Sequence, residues 1–209
     1  MTASEFVTRY RNPSKKEVLS ELYELISFKE LSNEINNQVD INLDFRTEVV
    51  EQLLSDFSLA DIDLIRKLFK EEQACENTIH RHNNLYQLCF YLFTLGQLED
   101  TFILYDAKFN TANMDVGCML DREAITVGHE IKEVIEYVQT EFIKDSTLKR
   151  RYPTILEELQ SLRDYPNYNS ITDYGHFIKG YFYGHENIIT EKNSAKVNDS
   201  ETKPWWKFW

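Results

Sequence analysis

Glycine and proline are scarce in this 209-residue chain, which contains 6 Gly and 4 Pro. An all-β sandwich or barrel needs a turn roughly every 8–12 residues, and so few turn-forming residues cannot supply them. Hydrophobic residues make up 42% of the chain and aromatic residues 13%. This content is enough for a substantial core and lies outside the range of disordered proteins. We therefore expect a single, mainly helical domain.

Cysteines are also few, and Cys75, Cys89 and Cys118 form an odd set without close spacing. That pattern argues against a disulfide framework and favours a reducing compartment. The longest apolar segment, residues 85–104, is interrupted by polar side chains, whereas a bilayer span needs about 20 apolar residues. Residues 1–6 lack the positive start and apolar run of a signal peptide. Together these absences predict a cytoplasmic protein.

Basic residues are outnumbered, with 23 Lys and Arg against 35 Asp and Glu, a net charge of -12. Binders of nucleic acid and of anionic membranes depend on a cationic surface, so neither partner is expected. The acid is concentrated in two segments, since residues 41–76 carry 4 basic and 9 acidic side chains and residues 77–121 carry 2 and 5. This imbalance is either an uneven but soluble surface or a docking face for a basic protein.

Apolar residues recur at helical spacing along most of the chain and predict an all-α fold. We expect an irregular helical bundle or a short solenoid of about seven to nine helices. Candidate helices begin near positions 14, 44, 58, 85, 98, 129, 153 and 171. Ser14 and Ser58 are candidate N-caps, and Glu17 completes a capping box with Ser14.

A central buried hairpin is expected around residues 85–109. Residues 85–95 are apolar on nearly every side of a helix, which is typical of a helix buried on all sides. Gly96 can end that helix in the left-handed conformation, and helical spacing resumes over residues 98–109. Residues 110–121 break the pattern and predict a loop that is tucked against the domain.

The predicted domain covers residues 1–186, and residues 187–209 form a flexible linker with an aromatic C-terminal tail. The linker is polar and lacks periodicity. The tail contains every tryptophan of the chain. Its aromatic side chains are Trp205, Trp206, Phe208 and Trp209. Because aromatic side chains are costly to leave in water, the tail is a candidate for self-association.

Metal and catalytic motifs are weak. Cys75, His80 and His82 lie within eight residues, but a structural zinc site needs four ligands in two close pairs, so we interpret the cluster as structural. The chain has no Gly-rich phosphate loop and no nucleophile elbow. We therefore predict no catalytic, cofactor-binding or metal-binding residues and no cofactor, and an enzyme without a recognisable motif ranks third among the functional hypotheses.

Three segments carry a resemblance to a known group of proteins: residues 84–96, residues 98–100 and residues 114–118. They resemble small helical bacterial proteins, mostly uncharacterised, that are found near polymorphic toxins and are suspected immunity proteins. The resemblance extends over about residues 60–185. It implies a fold and a biological setting, and it does not assign site residues.

The first functional hypothesis is a non-enzymatic immunity or inhibitor protein that binds a cognate, basic bacterial toxin through an acidic helical face. The runner-up is a helical adaptor or structural interaction module whose partner is a peptide or a second copy of the chain. The candidate partner-binding residues are acidic side chains of the central region. They are Asp44, Glu48, Glu51, Glu71, Glu72, Glu99, Asp100, Asp106 and Asp115.

Deleting residues 204–209 should change self-association or partner affinity without unfolding the domain. The reason is that each docked aromatic side chain buries about 150–250 Å². Sedimentation velocity and circular dichroism of the full chain and the truncated chain test this. Identical sedimentation and identical partner binding would show that the tail contributes nothing to association.

Overall fold

The computed structural model describes residues 1–12, 16–32, 38–80, 84–111 and 113–184. Within these ranges 74% of the residues are helical, which confirms the all-α class. Eleven α-helices are present in the described ranges, more than the seven to nine expected. The excess comes from short helices, such as residues 114–119 and 146–151, that are too short to display a repeating apolar face.

The helices are numbered in chain order. They are α1 (Ala3–Arg11), α2 (Lys16–Ile26), α3 (Leu43–Leu53), α4 (Ile62–Ile79), α5 (Leu85–Leu95), α6 (Asp100–Phe109), α7 (Met114–Met119), α8 (Ile131–Lys144), α9 (Ser146–Arg151), α10 (Ile155–Asp164) and α11 (Ile171–Tyr183). Two 3₁₀ helices, Leu59–Asp61 and Arg122–Thr126, lie between them. Strand β1 (Glu30–Ser32) pairs antiparallel with β2 (Gln38–Asp40), and Leu31 lies opposite Val39.

Helix α5 is the centre of the hydrophobic core, as its composition predicts. Its residues from Leu88 to Phe93 are all buried, so the helix is covered on every side. Helix α4 packs most extensively against it, and α11 covers another side. The ring of Phe90 stacks on Phe182 with centroids 4.7 Å apart, and Phe93 meets Tyr174 edge to face at 4.9 Å.

The expected close hairpin between α5 and α6 does not form. Gly96 ends α5 in the left-handed conformation, at φ +65°, as predicted. The turn at residues 127–129 then lies against the end of α5, because a nitrogen of His129 (Nε2) is 2.8 Å from Gly96 O. Helix α6 packs instead against the 3₁₀ helix at residues 122–126 and against α7. The closest partner of α5 is therefore α4.

The amino-terminal helix α1 holds α3 from one side. Phe6 of α1 is fully buried and meets Phe45 of α3 edge to face, with ring centroids 5.7 Å apart. Beyond the end of α3, Arg11 forms ion pairs with Asp56 at 2.7 Å and with Asp61 at 2.8 Å. The position of α3 is thus set by apolar packing and by a charged contact at its carboxyl end.

Several sequence predictions are corrected or lie outside the described residues. The loop expected over residues 110–121 contains helix α7. The polar stretch after α2 contributes strand β2, where no strand was expected. Ser58, a predicted helix N-cap, caps the 3₁₀ helix that precedes α4 and not α4 itself. Its backbone N–H donates to the side chain of Asp61 at 2.9 Å. The proposed Ser14 cap and the linker and tail at residues 187–209 lie outside the described residues, and the domain boundary at 186 stays a prediction.

Replacing Gly128 by Ala should destabilise the fold more than replacing Gly96 by Ala. Both glycines have positive φ, which costs an L-residue about 1–2 kcal/mol. A Cβ atom on Gly128 would also lie 2.9 Å from Phe93 O, whereas on Gly96 the nearest atom would be 3.5 Å away. Urea denaturation of both variants measures the difference. Equal urea midpoints for the two variants would show that the turn at residues 127–129 accommodates the added Cβ atom without a loss of stability.

Candidate functional site

The acidic face of α3 is the strongest candidate surface. Asp44, Glu48 and Glu51 are all exposed, and their spacing of four and three residues puts them on one side of the helix. None of the three forms an ion pair with another residue that the structure describes. Among the described residues, no cation therefore compensates their negative charges.

The opposite side of α3 contains an arginine that the sequence analysis missed. Arg46 is fully buried, and it shares a stripe at helical spacing with the buried residues Val49, Val50 and Leu53. A charged residue in register with an apolar stripe is a sequence signal for a buried ion pair, and it was available here. Its guanidinium contacts two buried carboxylates, at 2.6 Å from Asp40 and 2.6 Å from Glu72.

Hydrogen bonds connect this buried cluster of α3, α4 and β2 to residues that flank these elements. Glu72 in α4 also accepts a hydrogen bond from Asn84 at 3.1 Å. Asp40 in β2 accepts the backbone N–H groups of Lys29 and Asn42, each at 3.1 Å. Burial alone would lower the pKa of Arg46, but the adjacent carboxylates outweigh burial and raise that pKa above its usual range. Arg46 is therefore a permanent cation that joins α3 to α4 and to the sheet.

The two strands that precede α3 in the chain carry exposed apolar side chains. Asp40 points inward to Arg46, and because side chains alternate along a strand, Val39 and Ile41 point outward. Val39, its cross-strand partner Leu31, and Ile41 are all exposed. Ile41 lies two residues before the start of α3 and three before Asp44. We call the exposed residues Leu31, Val39, Ile41, Asp44, Glu48 and Glu51 the α3 face.

Three predicted partner-binding residues are buried, and their assignment to a docking surface is corrected. Glu72 is fully buried against Arg46, as described above. Glu71 is also buried, where it accepts the N–H of Phe28 at 2.7 Å and pairs with Lys67. Each carboxylate binds a cation or a hydrogen-bond donor inside the protein, so neither is accessible to a partner.

Asp100 is the third buried carboxylate. Arg66 of α4 binds both of its oxygens, at 2.7 and 3.1 Å, and ties the start of α6 to α4. Burial is the larger influence and raises the pKa of Asp100 despite this arginine. Glu99 is exposed, but it shares Arg66 at 2.8 Å. The Arg66–Asp100 ion pair is therefore a structural contact between α4 and α6.

The remaining two candidates are separate from the α3 face. Asp106 is half-buried and binds Arg151 at 2.8 Å and the hydroxyl of Tyr152 at 3.0 Å. Asp115 is exposed in the first turn of α7, where its N–H donates to the Asn113 side chain at 3.0 Å. Of the nine predicted residues, only the three on α3 form an exposed group without partners among the described residues.

The cluster around Cys75 is divided by the fold. Cys75 is buried, and burial, assisted by Glu72, raises its thiol pKa to about 12. His80 is exposed at the end of α4, in the left-handed conformation at φ 58°. His82 lies outside the described residues. Within the described ranges no three His, Cys, Asp or Glu side chains are arranged to hold a metal ion.

Comparison with protein-family models, with curated proteins and with solved structures gave no match to this chain. No helix in the described parts of the chain is both long and apolar enough to cross a membrane.

Replacing Arg46 by Met should cost about 3–5 kcal/mol of folding free energy, because it leaves Asp40 and Glu72 buried without a cation. The matched control is Lys132→Met, since Lys132 is 88% exposed and lies 3.8 Å from Glu136. That control should stay within about 0.5 kcal/mol of the unmodified protein. Chemical denaturation measures both. Equal losses for the two variants would contradict a structural role for the buried cluster.

Proposed function

We propose that this protein is a non-enzymatic inhibitor of the immunity type, which binds a cognate, basic bacterial toxin in the cytoplasm through the α3 face. The observation that carries the proposal is the combination of three exposed carboxylates on one helix, without ion pairs among the described residues, with exposed apolar side chains on the strands that lead into that helix. The resemblance of residues 84–96, 98–100 and 114–118 to suspected immunity proteins supports the same setting.

The two halves of the α3 face would make different contributions to binding. Asp44, Glu48 and Glu51 project a negative field that accelerates the encounter with a basic partner and selects against acidic ones. Leu31, Val39 and Ile41 supply apolar area, which slows dissociation once it is buried. A surface with charge alone would accelerate association with a partner but would not slow its dissociation.

A basic protein fits this surface better than the other macromolecular partners. The net charge of -12 and the acidic α3 face would repel nucleic acid and anionic membranes. A toxin that cleaves nucleic acid has a cationic substrate cleft, and carboxylates spaced along a helix can occupy such a cleft in place of phosphates. Inhibition by occlusion requires no catalytic residue on the inhibitor.

The adaptor hypothesis uses the same surface but differs in consequence. An adaptor would bind its partner without abolishing the partner's activity, whereas an inhibitor would abolish it in proportion to occupancy. Measuring the activity of the captured partner with and without this protein separates the two.

Replacing Asp44, Glu48 and Glu51 together by Lys should slow association with the partner about tenfold or more at low salt. The difference should shrink as salt screens the field. The fold should survive because all three side chains are exposed. The measurement is association kinetics at two salt concentrations, with the partner recovered by affinity capture.

A matched control replaces Glu130, Glu133 and Glu136 by Lys, which changes the net charge by the same amount. These three residues are exposed at the start of α8, which packs against α9 and α10 and not against α3. The control should leave the association rate nearly unchanged. Equal association rates for the two triple variants would show that the carboxylates of α3 contribute only to solubility. That result would remove the support for the inhibitor proposal.

A further inference from the structure

A cavity of about 260 Å³, which no residue of the α3 face lines, lies between the last turns of α4 and α6. Glu76 and Asn77 line it from α4, and Asp106 and Asn110 line it from the end of α6. Thr111 adds a hydroxyl group. The rest of the wall consists of Gln73 and three apolar side chains, so the cavity combines polar and apolar surface.

Glu76 is the unusual feature of this cavity. The residue is only 3% exposed, and its Oε1 is buried without a hydrogen-bond partner among the described residues. Its other oxygen lies 3.5 Å from the hydroxyl of Thr111, which also lines the cavity, so the carboxylate group is on the cavity side. No described cation pairs with it. A buried carboxylate without a cation is costly, and most such groups in proteins are paired.

The second carboxylate in the wall is already compensated. Both oxygens of Asp106 are used, one by Asn110 at 2.7 Å and the other by Arg151 at 2.8 Å. The carboxyl ends of α4 and α6 both adjoin the cavity, and helix carboxyl ends carry partial negative charge. The cavity is therefore a negative environment in which only Glu76 lacks a counter-charge among the described residues.

We infer that this cavity binds a small organic cation, a primary alkylammonium whose charged end pairs with Glu76. A primary ammonium has three donors, which match Glu76 Oε1, the Thr111 hydroxyl and the side-chain oxygen of Asn77 or Asn110. Leu85, Ala107 and Val116 line the remaining wall and suit an aliphatic chain. The oxygen atoms that line the cavity do not suit a metal ion, because one free carboxylate among neutral oxygens is a poor charge match for a divalent cation.

The test is isothermal titration of the full chain with 1,4-diaminobutane, with sodium chloride at matched ionic strength and 1,4-butanediol as a neutral isostere. Saturable binding of the diamine alone is expected. Glu76→Gln should weaken that binding by about tenfold or more, as loss of a charge-assisted contact predicts. Without the diamine, Glu76→Gln should melt at or above the temperature of the unmodified protein, because it removes an uncompensated buried charge.

The control Glu133→Gln alters an exposed carboxylate on α8 and should bind the diamine as the unmodified protein does. A second variant, Ala107→Leu, keeps Glu76 but fills the cavity, and it should also abolish binding. Equal heats for the diamine and sodium chloride, or unchanged diamine affinity in Glu76→Gln, would overturn the inference. A lower melting temperature of Glu76→Gln without the diamine would also count against it, because Glu76 would then be structural.

Discussion

The buried guanidinium of Arg46 is the contact on which the amino-terminal half of the protein depends. It joins α3 to α4 through Glu72 and to the sheet through Asp40. Because two carboxylates face one cation in a site closed to water, the geometry is held more strictly than apolar contacts would hold it. Fixing Arg46 inward also fixes the rotation of α3, and that rotation turns Asp44, Glu48 and Glu51 outward.

The acidic residues of this chain therefore divide into two populations. One population is internal: Glu71, Glu72 and Asp100 each bind a cation or a backbone donor and join separate elements. The other is exposed, and it includes Asp44, Glu48 and Glu51 on α3, which no described cation offsets. Net charge alone makes no distinction between a carboxylate that builds the fold and one that meets a partner, and here the same short region contains both.

The carboxyl-terminal half is organised by apolar packing around α5. Its aromatic side chains meet those of α11, and the turn at residues 127–129 closes against its carboxyl end. Helix α6 packs against α7 and against the 3₁₀ helix at residues 122–126, and the chain then returns to α5 at the turn. The cavity at Glu76 follows from that arrangement, because α4 and α6 end beside each other without filling the space between their last turns.

The sequence by itself determined the helical class, the central position of α5, the end of that helix at Gly96 and the exposed acidic stripe of α3. Each of these depends on local periodicity or on the preference of a single residue, and periodicity within one helix can be read without knowing its neighbours. Only the tertiary structure decided that Glu71, Glu72 and Asp100 are buried, that α5 pairs with α4, and that a short sheet forms beside α3. Burial of a charge depends on whether a residue distant in sequence supplies the opposite charge. Arg46 and Glu72 are 26 positions apart, and Arg66 and Asp100 are 34 apart, so the fold has to bring them together before their roles exist.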